Sequence, residues 1–461
     1  MPASRGAREL RRALLAVLAP ALLLPACRAE RKLIVLITVD TLRADHLGSY
    51  GAPPGTTPAL DALGAESIVF ERAYAPASCT LPSIAALMTS RYPEELGIES
   101  NMSALPPSRT LAAWLQERGW RTGAVVSNLV LRRSSGVDAG FARFDDRMRQ
   151  RERVREAPER TAVNTTRAAL VLLGELLAAD RAPLFLWVHY QDPHGPYTPP
   201  PGYRRRFLRA EQRAPDGGRE LPLAAGVSGV GALPLYQAIQ DRRDVAFYRA
   251  GYRGEVAYTD AAIAELLRDL DRRGLREQAV VVVTSDHGEG LGEQDYWFAH
   301  GERLHEPLVR VPLLVHVPGR PPGRRRDVAS LLDLFPTLAV LAGGAVPTGL
   351  RGRELLAAGA EAGSSAVYMS TLRVTPEARR ALVSGDYHYL VAGDGASASE
   401  SLFRLGGQLP SLAGEPALLE RLRLEMRAAR ASLQVGAAAV RQELSPADRE
   451  GLAALGYVDA R

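Results

Sequence analysis

Three segments of this sequence carry carboxylates and imidazoles where an apolar run stops. Asp40 follows Leu36-Ile37-Thr38-Val39, and Asp286-His287-Gly288-Glu289 follows the run Ala279 to Thr284 after a single serine. A carboxylate at the end of a buried strand has to be paired, protonated or held against a cation. Asp40, Asp286 and His287, brought together from separate strand ends, make a candidate divalent-cation site with open coordination. The third segment, Val188-His189-Tyr190-Gln191-Asp192-Pro193-His194, places two histidines and an aspartate within six residues. Of these, His194 is the candidate to protonate a leaving oxygen or hold an anionic group. His300, in Phe298-Ala299-His300-Gly301, lies thirteen residues past His287 and draws its weight from that company.

A hydroxyl completes the set. In Ser78-Cys79-Thr80-Leu81-Pro82 the threonine precedes a proline suited to the first turn of a helix, and an apolar helical stretch follows. Placed there, Thr80 faces the positive end of the helix, which favours an oxyanion and an anionic substrate. Threonine is a weak nucleophile until a base or a metal activates it. The same residue type in the same place also serves as an ordinary N-cap.

These groups need a frame that delivers strand ends to one place. Leu33 to Val39, Leu184 to Val188, Ala279 to Thr284 and Val311 to Val317 are apolar without alternation, the pattern of parallel strands buried on both faces. Helical spacing covers Thr110 to Arg118, Ala162 to Ala179 and Val256 to Leu270. The alternation predicts an α/β fold, a large mostly parallel sheet flanked by helices. Ligands of such sheets gather at the carboxyl ends of the strands. Residues 201 to 245, rich in Pro, Gly and Arg, read as a surface insertion. After a short helix, Asp333 to Leu341, the glycine-rich stretch 342–353 is the expected boundary of a smaller C-terminal subdomain, 354–461. Two strand-like segments (Ala366 to Thr371, Tyr387 to Val391) and a helical one (Pro416 to Leu433) fall within it.

Composition narrows the class. With 461 residues and 46% hydrophobic content the chain sits near globular averages, which excludes collagen-like, disordered and multi-pass membrane classes. The net charge is 57 − 52 = +5, but Arg5, Arg8, Arg11 and Arg12 against Glu9 put +3 in the first 26 residues. Lys32 is the sole lysine, and no dense basic run interleaved with aromatics occurs, so no nucleic-acid partner is expected. Two cysteines exclude a disulfide framework. Residues 1–26 read as a signal peptide, its apolar run Ala13 to Leu24 being too short to span a bilayer. The ending Leu24-Pro25-Ala26-Cys27 resembles a bacterial lipoprotein processing site. The expectation is an exported cell-envelope protein tethered to the membrane by lipid on Cys27, the first mature residue; an ordinary secretion signal is the alternative.

In this order along the chain, the pieces resemble the sulfatase family of the alkaline phosphatase superfamily. The matching stretches are Val39-Asp40-Thr41-Leu42-Arg43-Ala44-Asp45, Leu47-Gly48-Ser49-Tyr50-Gly51, Leu87-Met88-Thr89-Ser90-Arg91-Tyr92-Pro93, Asp192-Pro193-His194, Ser285-Asp286-His287-Gly288-Glu289, Arg310-Val311-Pro312 and Asp333-Leu334-Phe335-Pro336-Thr337. They span residues 32–343, with a fainter echo at Leu455-Gly456-Tyr457. The resemblance implies an alkaline-phosphatase-like fold and a metal-centred nucleophile attacking a sulfate or phosphate ester, with inversion in each step. The departures are specific. Family members that use formylglycine carry Cys-x-Pro-x-Arg; counting back from Leu87 puts Thr80 at the cysteine position, Pro82 at the proline and Ile84 at the arginine. Thr41 replaces a second aspartate, and Val126-Ser127-Asn128-Leu129 replaces Gly-Lys-Trp-His.

By that resemblance Asp40, Asp286 and His287 hold the metal, Thr80 attacks directly through a covalent intermediate, and His194 and His300 hold the transferred group or protonate the leaving oxygen. A phosphoryl or phosphonyl ester is favoured over sulfate. The alternatives are a true sulfuric ester hydrolase and an envelope phosphoglycerol or phosphoethanolamine transferase. The substrate is expected to be a small-molecule or a glycan- or lipid-linked anionic ester. Calcium suits oxygen-rich sites, whereas a histidine ligand with few carboxylates leans towards zinc or manganese.

Overall fold

The computed structural model describes residues 31–152, 154, 157–357, 366–371, 379–393, 398–407 and 415–454. Cys27, the signal segment and Leu455-Gly456-Tyr457 lie outside the described residues. In chain order the strands are β1 (Leu33–Val39), β2 (Ile68–Tyr74), β3 (Arg121–Val126), β4 (Arg143–Asp145), β5 (Gln150–Arg151), β6 (Pro158–Glu159), β7 (Leu184–Tyr190), β8 (Ala279–Ser285), β9 (Arg310–Val311), β10 (Leu313–His316) and β11 (Gly323–Ser330). All but the β5–β6 pair form one sheet of order β11-β2-β10-β8-β1-β7-β3-β4, with β9 beside β2.

The first three predicted strands lie side by side and parallel, Leu33 pairing with Leu184 on one flank and Ala279 on the other. On β1, Ile34 and Leu36 enter the hydrophobic cluster on one face while Leu33, Val35, Ile37 and Val39 enter the cluster on the other. Both faces are covered, which is why the run shows no polar alternation. The fourth run departs from expectation. Pro312 divides it into β9 and β10, and β10 runs antiparallel to β8. The chain leaves β8 through the loops of residues 286–309 and re-enters the sheet at the same end; a parallel strand would need a crossover back to the other end.

Ala162–Ala179 is a helix over its predicted bounds, whereas Val256 to Leu270 is the second half of a helix, Val245–Arg272. Gly251 and Gly254, in the first half of that helix, are contact points. A Cβ on Gly251 would sit 2.9 Å from the Cβ of Tyr197, and one on Gly254 2.9 Å from Cγ of Pro199. The region 201–245 is more than surface insertion: it holds a helix, Pro201–Gln212, and ends with Gln237 fully buried against the loop of Gly195.

The C-terminal strands β12 (Val367–Thr371), β13 (Arg379–Ser384), β14 (Tyr387–Ala392) and β15 (Ser399–Arg404) form a small antiparallel sheet in sequential order. Val367, Met369, Ala381 and Val383 pack on Tyr74, Leu304 and Leu308 of the main body. Tyr368, Leu382 and Leu402 face the helix Pro416–Ser432 through Leu422 and Met426. The chain then returns to the large body, where Ala439 donates its amide to Gly97 O and Leu452 joins the main core.

Candidate active site and metal centre

Parallel β1, β3, β7 and β8 end on the same edge of the sheet, so Asp40, Asn128, His189 and Asp286 converge there. Thr80 arrives from the helix Thr80–Thr89 that follows β2. His287 Nε2 lies 3.6 Å from Asp40 Oδ1, 3.6 Å from Asp286 Oδ2 and 3.3 Å from Thr80 Oγ1. The ligand atoms of Asp40, Asp286 and His287 all fall within 4.8 Å of one another. The ring of His300 stands 4.5 Å from that of His287, and the ring of His194 5.0 Å from that of His300. All six residues singled out from the sequence for this site therefore meet.

The donor set fits a divalent cation. Asp286 Oδ1 accepts the amides of His287 (2.8 Å) and Thr41 (3.3 Å), and Asp40 Oδ2 accepts Asn128 Nδ2 at 2.5 Å. The second oxygen of each, Asp40 Oδ1 and Asp286 Oδ2, is buried with no hydrogen-bond partner. One oxygen of each carboxylate is thus pinned by the protein while the other is left bare beside His287. His287 Nδ1 lies 2.8 Å from Gly288 O and takes the ring hydrogen, which leaves the Nε2 lone pair facing the two bare oxygens. Burial and the neighbouring Asp40 charge push Asp286 up to about 7. Burial pushes His194 and His287 down, and His300 down to about 4, so the imidazoles are neutral at pH 7 and can serve as ligands.

The turn after Asp40 is held under strain. Thr41 has φ +57°, a left-handed conformation that a β-branched residue rarely adopts. It is clamped by the hydrogen bond its N–H donates to Asp286 and by Tyr252, whose hydroxyl donates to Thr41 O at 2.7 Å. Such strain persists where the surroundings over-determine the backbone.

Thr80 does not act as the N-cap. That position belongs to Cys79, in extended backbone, and Thr80 is the first helical residue with its hydroxyl on His287. Burial, then the charges of Asp286 and Asp40, push the Cys79 thiol up to about 12. Its sulfur lies against Gly301, where a Cβ would come within 3.1 Å.

Sequence reasoning missed several partners. Glu289 is buried, accepts from Tyr197 Oη at 2.8 Å and lies 3.2 Å from His300 Nδ1. Burial pushes it up to about 7. Its place in Asp-His-Gly-Glu was the available signal. Asn128 follows β3, a strand whose Arg-Thr-Gly opening hid it, and no signal marked Tyr197 or Gln237.

Comparison with known proteins agrees with this geometry. The family model described as Sulfatase matches residues 32–345. Iduronate 2-sulfatase of Homo sapiens is 26% identical over 396 residues, covering 68% of this chain and 69% of that protein. Arylsulfatase A of Homo sapiens is 29% identical over 349 residues, covering 68% and 64%. Among solved structures, one in complex with its substrate D-glucosamine-2-N,6-O-disulfate superposes with a TM-score of 0.71 at 17% identity, covering 87% of this chain and 98% of that one. The phosphonate monoester hydrolase of Agrobacterium radiobacter gives a TM-score of 0.66 at 20% identity, covering 87% and 96%. With the match covering most of the chain and the strand-end constellation in place, this protein belongs to the sulfatase family of the alkaline phosphatase superfamily and is an ester hydrolase of that superfamily.

Proposed function

We propose that the protein hydrolyses phosphate or phosphonate esters, with Thr80 as the nucleophile, and that it works from the bacterial cell envelope through a lipid on Cys27. One observation carries the reading: the hydroxyl of Thr80 lies 3.3 Å from Nε2 of His287, within the Asp40–Asp286–His287 group. Asp40, Asp286 and His287 would hold a divalent cation, whose Lewis acidity lowers the threonine pKa and neutralises charge on the ester. Thr80 Oγ1 forms a bond to phosphorus as the bond to the leaving oxygen breaks, and that oxygen takes up a proton. Water then cleaves the phosphothreonine and regenerates the hydroxyl. Glu289 orients His300 through Nδ1, which turns Nε2 of that ring to the reacting group. His194, its Nδ1 engaged by Gly195 O at 2.8 Å, stands beside it to hold the transferred group.

The decisive assay pairs Thr80→Ala with Cys79→Ala on a panel of aryl phosphate, phosphodiester, phosphonate and sulfate esters, with mass spectrometry of residues 75–91 before and after turnover. The proposal requires loss of activity in Thr80→Ala, near-wild-type turnover in Cys79→Ala and an 80-Da adduct on Thr80 with a slow phosphate ester, the mass of a phosphoryl group (PO3H). An aldehyde at position 79 would overturn it. The second reading, sulfate ester hydrolysis, is favoured by the names of the curated relatives, iduronate 2-sulfatase and arylsulfatase A. A sulfate ester leading the panel would select it. The anchor is tested separately: Cys27→Ser should abolish fatty-acid labelling and release the protein from the membrane fraction.

A further inference from the structure

We infer that His189 is a positioning residue for Asp40, held as an Nε2–H donor by a hydrogen-bond chain from the sheet core, and that it is not a metal ligand. The inference rests on the cation reading of Asp40, Asp286 and His287. His189 is fully buried near the end of β7, with Nε2 3.8 Å from Asp40 Oδ2. On proximity alone it would be taken for one more imidazole ligand. The direction of the hydrogens decides otherwise.

Trp187 Nε1, which can only donate, gives its hydrogen to Thr38 Oγ1 at 2.9 Å. Thr38 Oγ1 lies 2.8 Å from His189 Nδ1, and all three side chains are buried. If Nδ1 carried the hydrogen, Thr38 Oγ1 would accept twice and its own hydrogen would have no acceptor in a fully buried site. It would also leave a bare Nε2 lone pair facing the Asp40 carboxylate. If Thr38 donates to Nδ1, the hydrogens of Trp187 and Thr38 both find acceptors, and the neutral ring carries its remaining hydrogen on Nε2, directed at the Asp40 carboxylate without a formed hydrogen bond. A ring nitrogen that carries hydrogen cannot coordinate a metal. At 3.8 Å the contact is an N–H dipole beside a carboxylate rather than a formed hydrogen bond. With Asn128 Nδ2 on the same oxygen at 2.5 Å, it draws Asp40 Oδ2 to the protein side and leaves Oδ1 bare.

The test uses the full chain and zinc as the probe. Zinc affinity is measured by competition with a chromophoric chelator, and imidazole ligands are counted by X-ray absorption, for wild type, His189→Phe, His189→Gln and Thr38→Val. Melting of the metal-free proteins selects variants that fold, and Thr38→Val keeps side-chain volume if His189→Phe does not fold. The inference expects zinc affinity to fall about 10- to 100-fold in His189→Phe and Thr38→Val, with partial recovery in His189→Gln, which keeps an N–H donor. It also expects the same imidazole count in all four. Wild-type affinity in His189→Phe and Thr38→Val would overturn it, as would the loss of one imidazole ligand in His189→Phe. Asp286→Asn is the separate control: unchanged zinc affinity there would sink the cation reading itself.

Discussion

Asp286→Asn should make the metal-free protein more stable and the enzyme inactive. Asp286 is fully buried beside Asp40, and in the absence of a cation its pKa is raised from 3.8 to about 7. The folded state then binds a proton more tightly than the unfolded chain does. Stability from this group is fully present below pH 4 and is lost as pH rises through about 7. A rise of roughly three units at 1.36 kcal/mol each is about 4 kcal/mol, the upper limit of the penalty that metal-free wild type carries at pH 8. Asparagine has no charge to bury and can still accept the amides of His287 and Thr41 through Oδ1. Urea unfolding at pH 5 and pH 8, with chelator present, is the assay. The difference between the pH values should shrink in Asp286→Asn, and at pH 8 the variant should be the more stable protein. Added cation reverses the order: a ligand at 100 times its Kd stabilises wild type by about 2.7 kcal/mol, and Asp286→Asn should lose most of that. If the metal-free variant is no more stable than wild type at pH 8, or if cation stabilises both equally, the two bare oxygens are not a cation site.

Other outcomes follow from single contacts. Glu289→Gln should lower kcat/KM at least tenfold with the fold intact, since His300 loses its carboxylate partner; wild type should gain activity as pH rises through about 7, and the variant should lack that acid limb. Gly288→Ala should cost roughly 2 kcal/mol or more and weaken metal binding, because a Cβ would lie 1.9 Å from Pro307 O, a backbone atom with no room to yield; thermal melting with and without cation checks this. Asp260 accepts the amides of Leu60 (2.8 Å) and Ala59 (3.1 Å), capping the helix Pro58–Ala65 from another segment. Asp260→Ala should cost about 0.5–2 kcal/mol in urea unfolding with no change in kcat.

What could be read from the sequence was what strand ends make explicit. A carboxylate that terminates an apolar run is a local signal, and Asp40 and Asp286 were visible because parallel strands deliver their carboxyl ends to one edge. Glu289 and Asn128 were not, because each acts through a partner far away in the chain, Tyr197 for one and Asp40 for the other. Direction within the sheet was equally hidden. The run containing Leu313–His316 is as apolar as a parallel strand, and only the length and path of residues 286–309 turn it antiparallel to β8. The first half of the helix Val245–Arg272 carried Gly251 and Gly254, whose value lies in what packs on them and not in the backbone they permit.

The neighbouring pair Cys79 and Thr80 shows how local and distant information combine. Either residue type can be a nucleophile, and composition does not choose between them. The residue count back from Leu87 placed Thr80 in the nucleophile's register, and the helix start explains why that count matters. Cys79 sits in extended backbone at φ −137° and ψ 145°, while Thr80 begins the first helical turn. The extended N-cap and the first helical residue send their side chains in different directions. Here the oxygen meets His287 and the sulfur meets Gly301. The chemistry available to this chain therefore depends on the register of one helix as much as on the residues it carries.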